Sequence, residues 1–252
     1  MRNIRIIPRL DIKGPNVVKG VHMEGLRVVG NPVELARKYY EEGADELLYI
    51  DIVASLYGRG IDLDLVRAVA AELFIPLTVG GGIQSIHDIS AVLRSGADKV
   101  AINTYALKHP ELLSEAVKHF GSQCIVLSIE AKRTAPGKWE AYTEGGRERS
   151  ARDVMEWVQE ALDRGVGEIL LSSVDHDGTR KGFDMELTRA ITAFSPVPVV
   201  AHGGAGTTDT VRQVIAQGKA DAVSLGTVFH YHDYSIKDLK TFLAANHLPI
   251  RA

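Results

Sequence analysis

The sequence predicts a single (β/α)8 barrel of the TIM type spanning residues 1–252. Three observations predict it: eight short β-branched runs each followed by a helical stretch, a length of 252 residues, and an internal two-fold repeat. None of the runs alternates cleanly between apolar and polar residues, which marks strands covered on both faces, as in a parallel sheet.

In chain order the predicted strands are "IRIIPRLD" (4–11), "ELLYID" (46–51), "PLTVG" (76–80), "KVAIN" (99–103), "CIVLSIE" (124–130), "EILLSS" (168–173), "PVPVVA" (196–201) and "AVSLG" (222–226). The first helix, "NPVELARKYYEEG", opens on Asn31 as a cap with Pro32 in its first turn and closes at Gly43. "IHDISAVLRSG" and "TDTVRQVIAQG" close in the same way at Gly96 and Gly218. Longer amphipathic stretches cover 61–73, 110–120, 151–165, 184–194 and 235–246. Two glycine-containing segments, 13–32 and 132–150, read as long loops, and loops of that length in a compact barrel are usually functional.

A doubly wound open sheet also alternates strand and helix. Against it, the dinucleotide-type glycine fingerprint is missing after the first strand. The repeat also favours the barrel. "RLDIKG" (9–14) aligns with "SIEAKR" (128–133), Glu46 with Glu168, Pro76 with Pro198 and Thr104 with Thr227, at offsets of 119, 122, 122 and 123 residues. Half-barrels of about 1–121 and 122–252 close naturally into one eight-unit ring. That closure puts Asp11 and Glu130 on the first and fifth strands, opposite each other across the mouth.

A net charge of −3, 45% hydrophobic and 24% charged residues describe an ordinary soluble domain and give no reason to expect nucleic acid as a partner. The single cysteine, Cys124, excludes an internal disulfide and reads as a buried, inert thiol. With no bilayer-length apolar run and no signal-peptide core, the expected location is the cytoplasm, away from membranes. No cofactor motif stands out. "HYH" (230–232) has a chelate-like spacing without accompanying ligands, so no metal is expected.

Two glycine turns carry the clearest chemical signal. "VGGGI" follows the third strand and "HGGAG" the seventh, and each is matched by a small polar end on the next strand, "INT" and "LGT". Backbone N–H groups at such turns, joined by a hydroxyl, form an anion site. The candidate residues are Gly81, Gly82, Asn103 and Thr104 in one half, and Gly203, Gly204, Gly226 and Thr227 in the other. Asp177, Gly178 and Thr179, after the sixth strand, adjoin the second cradle, and Lys19 is placed to meet a phosphate or carboxylate. Two cradles imply a ligand with a phosphate at each end. The plainer account is a pair of structural turns that need small residues.

"IIPRLDIKGPNVVKG", "DELLYIDIVAS", "IPLTVGGGI", "GADKVAINT", "GEILLSSVDHDGT", "VVAHGGAG" and "TVFHY" together resemble the cyclase-subunit family of imidazole glycerol phosphate synthase, nearly end to end. The resemblance implies a bisphosphorylated substrate and ammonia delivered through the barrel from a glutaminase subunit, its heterodimeric partner. It implies opposed carboxylates as general acid and base, here Asp11 and Glu130. It further implies an ammonia-gating ring of Arg5, Glu46, Lys99 and Glu168 at the barrel floor, one from alternate strands, with Asp98 at the partner interface. The sequence departs from the family pattern at Glu130 (aspartate expected), Arg9 (cysteine) and His202 (serine). Those departures keep three alternatives open: a sister enzyme amidinating a nucleotide- or lipid-linked sugar for surface polysaccharides, the sugar isomerase of the same pathway, and a non-catalytic barrel that activates its glutaminase.

Overall fold

A computed structural model of the chain describes residues 3–251. The elements are β1 (Arg5–Lys13), β2 (Asn16–Val21), β3 (Glu24–Gly30), α1 (Pro32–Glu41), β4 (Leu47–Asp51), α2 (Leu63–Ala70), β5 (Leu77–Gly80), α3 (Ile86–Arg94), β6 (Lys99–Ile102), α4 (Thr104–Lys108) and α5 (Glu111–Phe120) in the first half. The second half has β7 (Ile125–Ala135), β8 (Lys138–Thr143), β9 (Glu148–Asp153), α6 (Val154–Asp163), β10 (Glu168–Ser173), α7 (Met185–Thr192), β11 (Val199–His202), α8 (Thr208–Ala216), β12 (Ala222–Leu225), α9 (Thr227–His230) and α10 (Ile236–Ala245).

Eight parallel strands run β1–β4–β5–β6–β7–β10–β11–β12, and β12 pairs back onto β1, with Arg5 opposite Ala222 and Pro8 opposite Leu225. The ring is closed, so the open-sheet rival is excluded. Its interior is filled by Ile7, Leu48, Ala101, Val126, Leu170, Val200 and Ala222, so it is a packed core and not a pore. A larger apolar layer joins the outer faces of the strands to the helices, with Tyr39 on α1, Val69 on α2 and Trp157 on α6 fully buried. Among the described residues no helix is long and apolar enough to cross a membrane.

The helices start as their sequences predict. Asn31 Oδ1 accepts from the N–H groups of Val33 and Glu34, and Ser85, Asp153 and Thr207 cap α3, α6 and α8 in the same manner. Gly43 and Gly96 take the left-handed conformation after α1 and α3, but after α8 that position falls to Lys219 instead of Gly218. Cys124 is half-buried at the end of a short 3-10 turn, not enclosed.

The two segments read as loops are β-hairpins. β2 pairs antiparallel with both β1 and β3, and β8 with both β7 and β9. Barrel strands 1 and 5 therefore extend past the rim and each carries a ribbon, which repeats the two-fold pattern in structure. "NVVKGV" and "KWEAYT" do have strand composition. Their interspersed glycines and charges hide it, because a ribbon above the rim needs only one covered face.

The opposite end of the barrel is a layer of charge. Arg5 bridges Glu46 at 2.7 Å and Glu168 at 2.5 Å, while Lys99 bridges the same two carboxylates at 3.1 and 2.9 Å. The ring comes from barrel strands 1, 2, 4 and 6, not strictly alternate ones, because the eighth strand contributes only Ala222 beside Arg5. Pairing each cation with both anions satisfies the demand that charge in an apolar interior be compensated. Asp98 is exposed at this end, and its Oδ2 accepts from Leu77 N at 2.8 Å. Asp45 and Asp221 do the same for Ile6 and Val199, so this aspartate also has a strand-capping role.

Candidate active site

At the C-terminal ends of the strands lies a second set of charges, almost wholly buried. Asp11, 5% exposed on β1, accepts from Arg9 Nε at 2.6 Å and from Lys19 Nζ at 3.1 Å. Lys19, at 3% exposure on β2, also donates to both carboxylate oxygens of Asp177 at 2.8 and 2.9 Å. Arg9 reaches Ser172 Oγ on β10 at 3.2 Å. The pairing β1–β2 places Asp11 opposite Val18, which brings the neighbouring Lys19 over the barrel axis. Burial opposes ionisation of Asp11, but Arg9 and Lys19 outweigh it and hold the carboxyl down at about 2. In Asp177, burial is likewise outweighed, by Lys19 and His202, and the carboxyl stays well below its usual range.

Glu130 sits differently. It is half-buried on β7, and among the described residues its Oε2 accepts only from Gly146 N, at 2.8 Å. Burial dominates and pushes its carboxyl up to about 7, against the opposing pull of the Gly146 N–H and of Arg9. The two carboxylates anticipated as a pair thus have opposite character. Glu130 lines a cavity of about 310 Å³ together with Gly81, Gly82, Asn103 and Thr104. Asp11 lines a much smaller pocket with Arg9, Lys19, Met23 and Arg147. Ile52 and Gly145 wall both spaces, so the pockets adjoin. The roof between them is where the two ribbons meet: Gly146 packs against Met23 at the β2–β3 turn.

Both glycine turns open on this face. Gly81 and Gly82 have φ of 103° and 65°, and Gly203 and Gly204 have 94° and 100°. A Cβ on Gly81 would stand 2.1 Å from Asp51 O, and one on Gly204 2.0 Å from Gly182 O, so both turns need glycine for backbone reasons alone. Ligand geometry is present as well. Asn103 and Gly226 share an unusual backbone (φ −124°, ψ −87° and φ −122°, ψ −70°), and each precedes a short helix without a side-chain cap. The uncapped starts at Thr104 and Thr227 border the two clefts. Gly178, Gly203, Gly204, Gly226 and Thr227 line the second cleft with Asp177 and His202.

Several expectations shift in detail. Lys19 does not point into a cradle as a free cation; two protein carboxylates hold it. Asp177 serves those contacts and does not itself offer a donor to phosphate. Asn103 Nδ2 donates to Tyr142 O at 3.1 Å and Thr104 Oγ1 accepts from Glu144 N at 3.2 Å, tying the first cradle to the β8–β9 ribbon. The "HYH" histidines separate: His230 bonds Tyr39 Oη at 2.7 Å and Arg9 O at 3.1 Å, whereas His232 meets Lys38 outside. Sequence reasoning missed Glu144, Gly146 and Arg147. Their signal is the "EGGR" turn between two strand-like runs, visible only once 132–150 is read as a hairpin.

A family described as histidine biosynthesis protein matches residues 5–235. An imidazole glycerol phosphate synthase subunit HisF from Legionella pneumophila is 58% identical over 206 residues, 82% of this chain and 97% of that protein. The chain belongs to the HisF family. Membership fits the closed barrel. The HisF relative gives the sugar-amidating, isomerase and non-catalytic alternatives no support. Arg9 and His202 belong to the charge network around Asp11 and Asp177.

Proposed function

We propose that this chain is the cyclase subunit of an imidazole glycerol phosphate synthase in histidine biosynthesis. It uses ammonia from a glutaminase subunit on a substrate with phosphoribulose-type and phosphoribosyl aminoimidazole ends. The observation that carries the reading is the pair of repeat-related cradles opening on the face that holds Asp11 and Glu130, with the four-membered charge ring closing the other end. Each cradle takes one phosphate on glycine-turn and helix-start N–H groups. Thr104 and Thr227 stand beside them.

Ring closure requires a proton to leave the attacking nitrogen and another to reach the departing oxygen or nitrogen. Asp11, held ionised by Arg9 and Lys19, suits the accepting and charge-stabilising role. Glu130, retaining its proton to about pH 7, suits the donating one. Its extra methylene relative to aspartate is accommodated by the Gly146 N–H, which fixes one carboxylate oxygen. Ammonia enters at the floor, where opening the ring means breaking an ion pair, and Asp98 faces the glutaminase.

The test supplies purified protein with ammonium at high pH and the histidine-pathway substrate. Imidazole glycerol phosphate is the expected product. A folded protein that makes none excludes the reading.

A further inference from the structure

Among the residues of the second cleft, His202 is the one whose ring is out of balance. It is 4% exposed at the end of β11 and lines the cleft with Gly203, Gly204, Ser224 and Thr227. Nδ1 lies 2.9 Å from the carbonyl oxygen of Ser224, so Nδ1 carries a proton and donates it there. That fixes the tautomer: in the neutral ring Nε2 is an acceptor. Nε2 lies 3.3 Å from Asp177 Oδ1, yet among the described residues it has no well-aligned hydrogen-bond partner. A lone pair facing a carboxylate at the end of a buried cleft calls for a proton.

The surroundings decide when that proton arrives. Facing the ring are Asp177 from the segment after β10, Arg9 and Asp11 from β1, and Lys19 from β2. These four charges sum to zero. Burial and the nearby Arg9 disfavour the imidazolium and lower the pKa of His202, while Asp177 alone does not restore it. A phosphate dianion in the cleft would change the balance by two negative charges. The uncapped start of α9 supplies only partial positive charge there.

We propose that His202 is a proton-linked clamp of the second cradle: it takes up a proton from solvent as a phosphomonoester binds, its Nε2–H turning to Asp177 Oδ1 and its charge offsetting that of the phosphate. The proposal rests on the reading of that cleft as a phosphate subsite. Its sign follows from linkage: a pKa raised by the ligand makes affinity fall as pH rises through the bound-state value, while below about pH 6 protonation of the phosphate itself removes the dianion that raises it.

Glycerol 3-phosphate is the probe, titrated calorimetrically at pH 8 in two buffers of different ionisation enthalpy; its phosphate, with a second pKa of about 6, is already dianionic there. The native protein is expected to take up a substantial fraction of a proton, and its affinity to fall by up to about tenfold per pH unit above the bound-state pKa. His202→Asn keeps an N–H for the Ser224 carbonyl but cannot titrate, so it should bind with the extra uptake and the pH slope abolished. Equal uptake and slope in the two proteins, with both still binding, overturns the clamp and leaves the cradle standing. No binding by either removes the cradle and the clamp together. If His202→Asn does not fold, ring-nitrogen NMR of the native protein decides: a shift to the imidazolium form on adding the probe supports the clamp, and an unchanged ring rejects it.

Discussion

At the residue scale, Asp11 and Glu130 show how environment outweighs residue type. Both are carboxylates at repeat-related positions, yet among the described residues Asp11 is salt-bridged twice and Glu130 not at all. Because the folded pKa of Glu130 is raised, its contribution to stability is complete below about pH 4.5 and is lost as pH rises through about 7. Glu130→Gln should therefore gain about 1–2 kcal/mol relative to the native protein between pH 5 and pH 8, the partial exposure of the side chain reducing the full effect. Denaturant unfolding at the two pH values checks this, and an identical gain at both contradicts it. Lys19→Met strands Asp177 in the interior and leaves Asp11 with Arg9 alone. Removing one partner from a buried ion pair costs about 3–5 kcal/mol, so a large fall in unfolding midpoint should accompany lost turnover.

At the scale of elements, the two ribbons above the rim determine the mouth. The β7–β8 ribbon is pinned from outside: Trp139 Nε1 donates to Asp184 at 3.0 Å, and Arg133 bonds Asp184 and Glu186 at the start of α7. Trp139→Phe keeps the packing but leaves the buried Asp184 short of a donor, a loss of about 1–3 kcal/mol. Gly146 lies in the β8–β9 turn that continues from this ribbon, so the Glu130 carboxyl should titrate differently in that variant, which carboxyl-selective NMR would show. The glycine turns are legible in sequence because a Cβ is excluded sterically. The ribbons are not, because a half-exposed hairpin tolerates the glycine and charge that otherwise mark loops.

Over the whole molecule, the ends of one barrel are specialised oppositely: neutral-summing charge at the floor, cradles and carboxylates at the rim. Lys99→Ala should leave Arg5, among the described residues, as the sole cation between Glu46 and Glu168. Under the proposed function, activity with external ammonium should persist within about threefold, because external ammonia bypasses the ring. Glutamine-driven turnover per glutamine hydrolysed should fall. Parallel assays with the two nitrogen sources test this, and an equal loss in both argues against a gate.

The barrel, its eight strands, its two-fold repeat and the positions of both glycine turns were determined by the sequence alone. Hydrophobic periodicity, chain length and steric demands for glycine are local properties that recur at a fixed spacing. Which charges meet was decided only by the tertiary structure. Arg9 with Asp11 is a short-range pair, but Lys19 with Asp177 and His202 beside Asp177 join residues far apart in the chain. Burial, which makes one carboxyl a permanent anion and the other a proton carrier, exists only once the ribbons close over the rim.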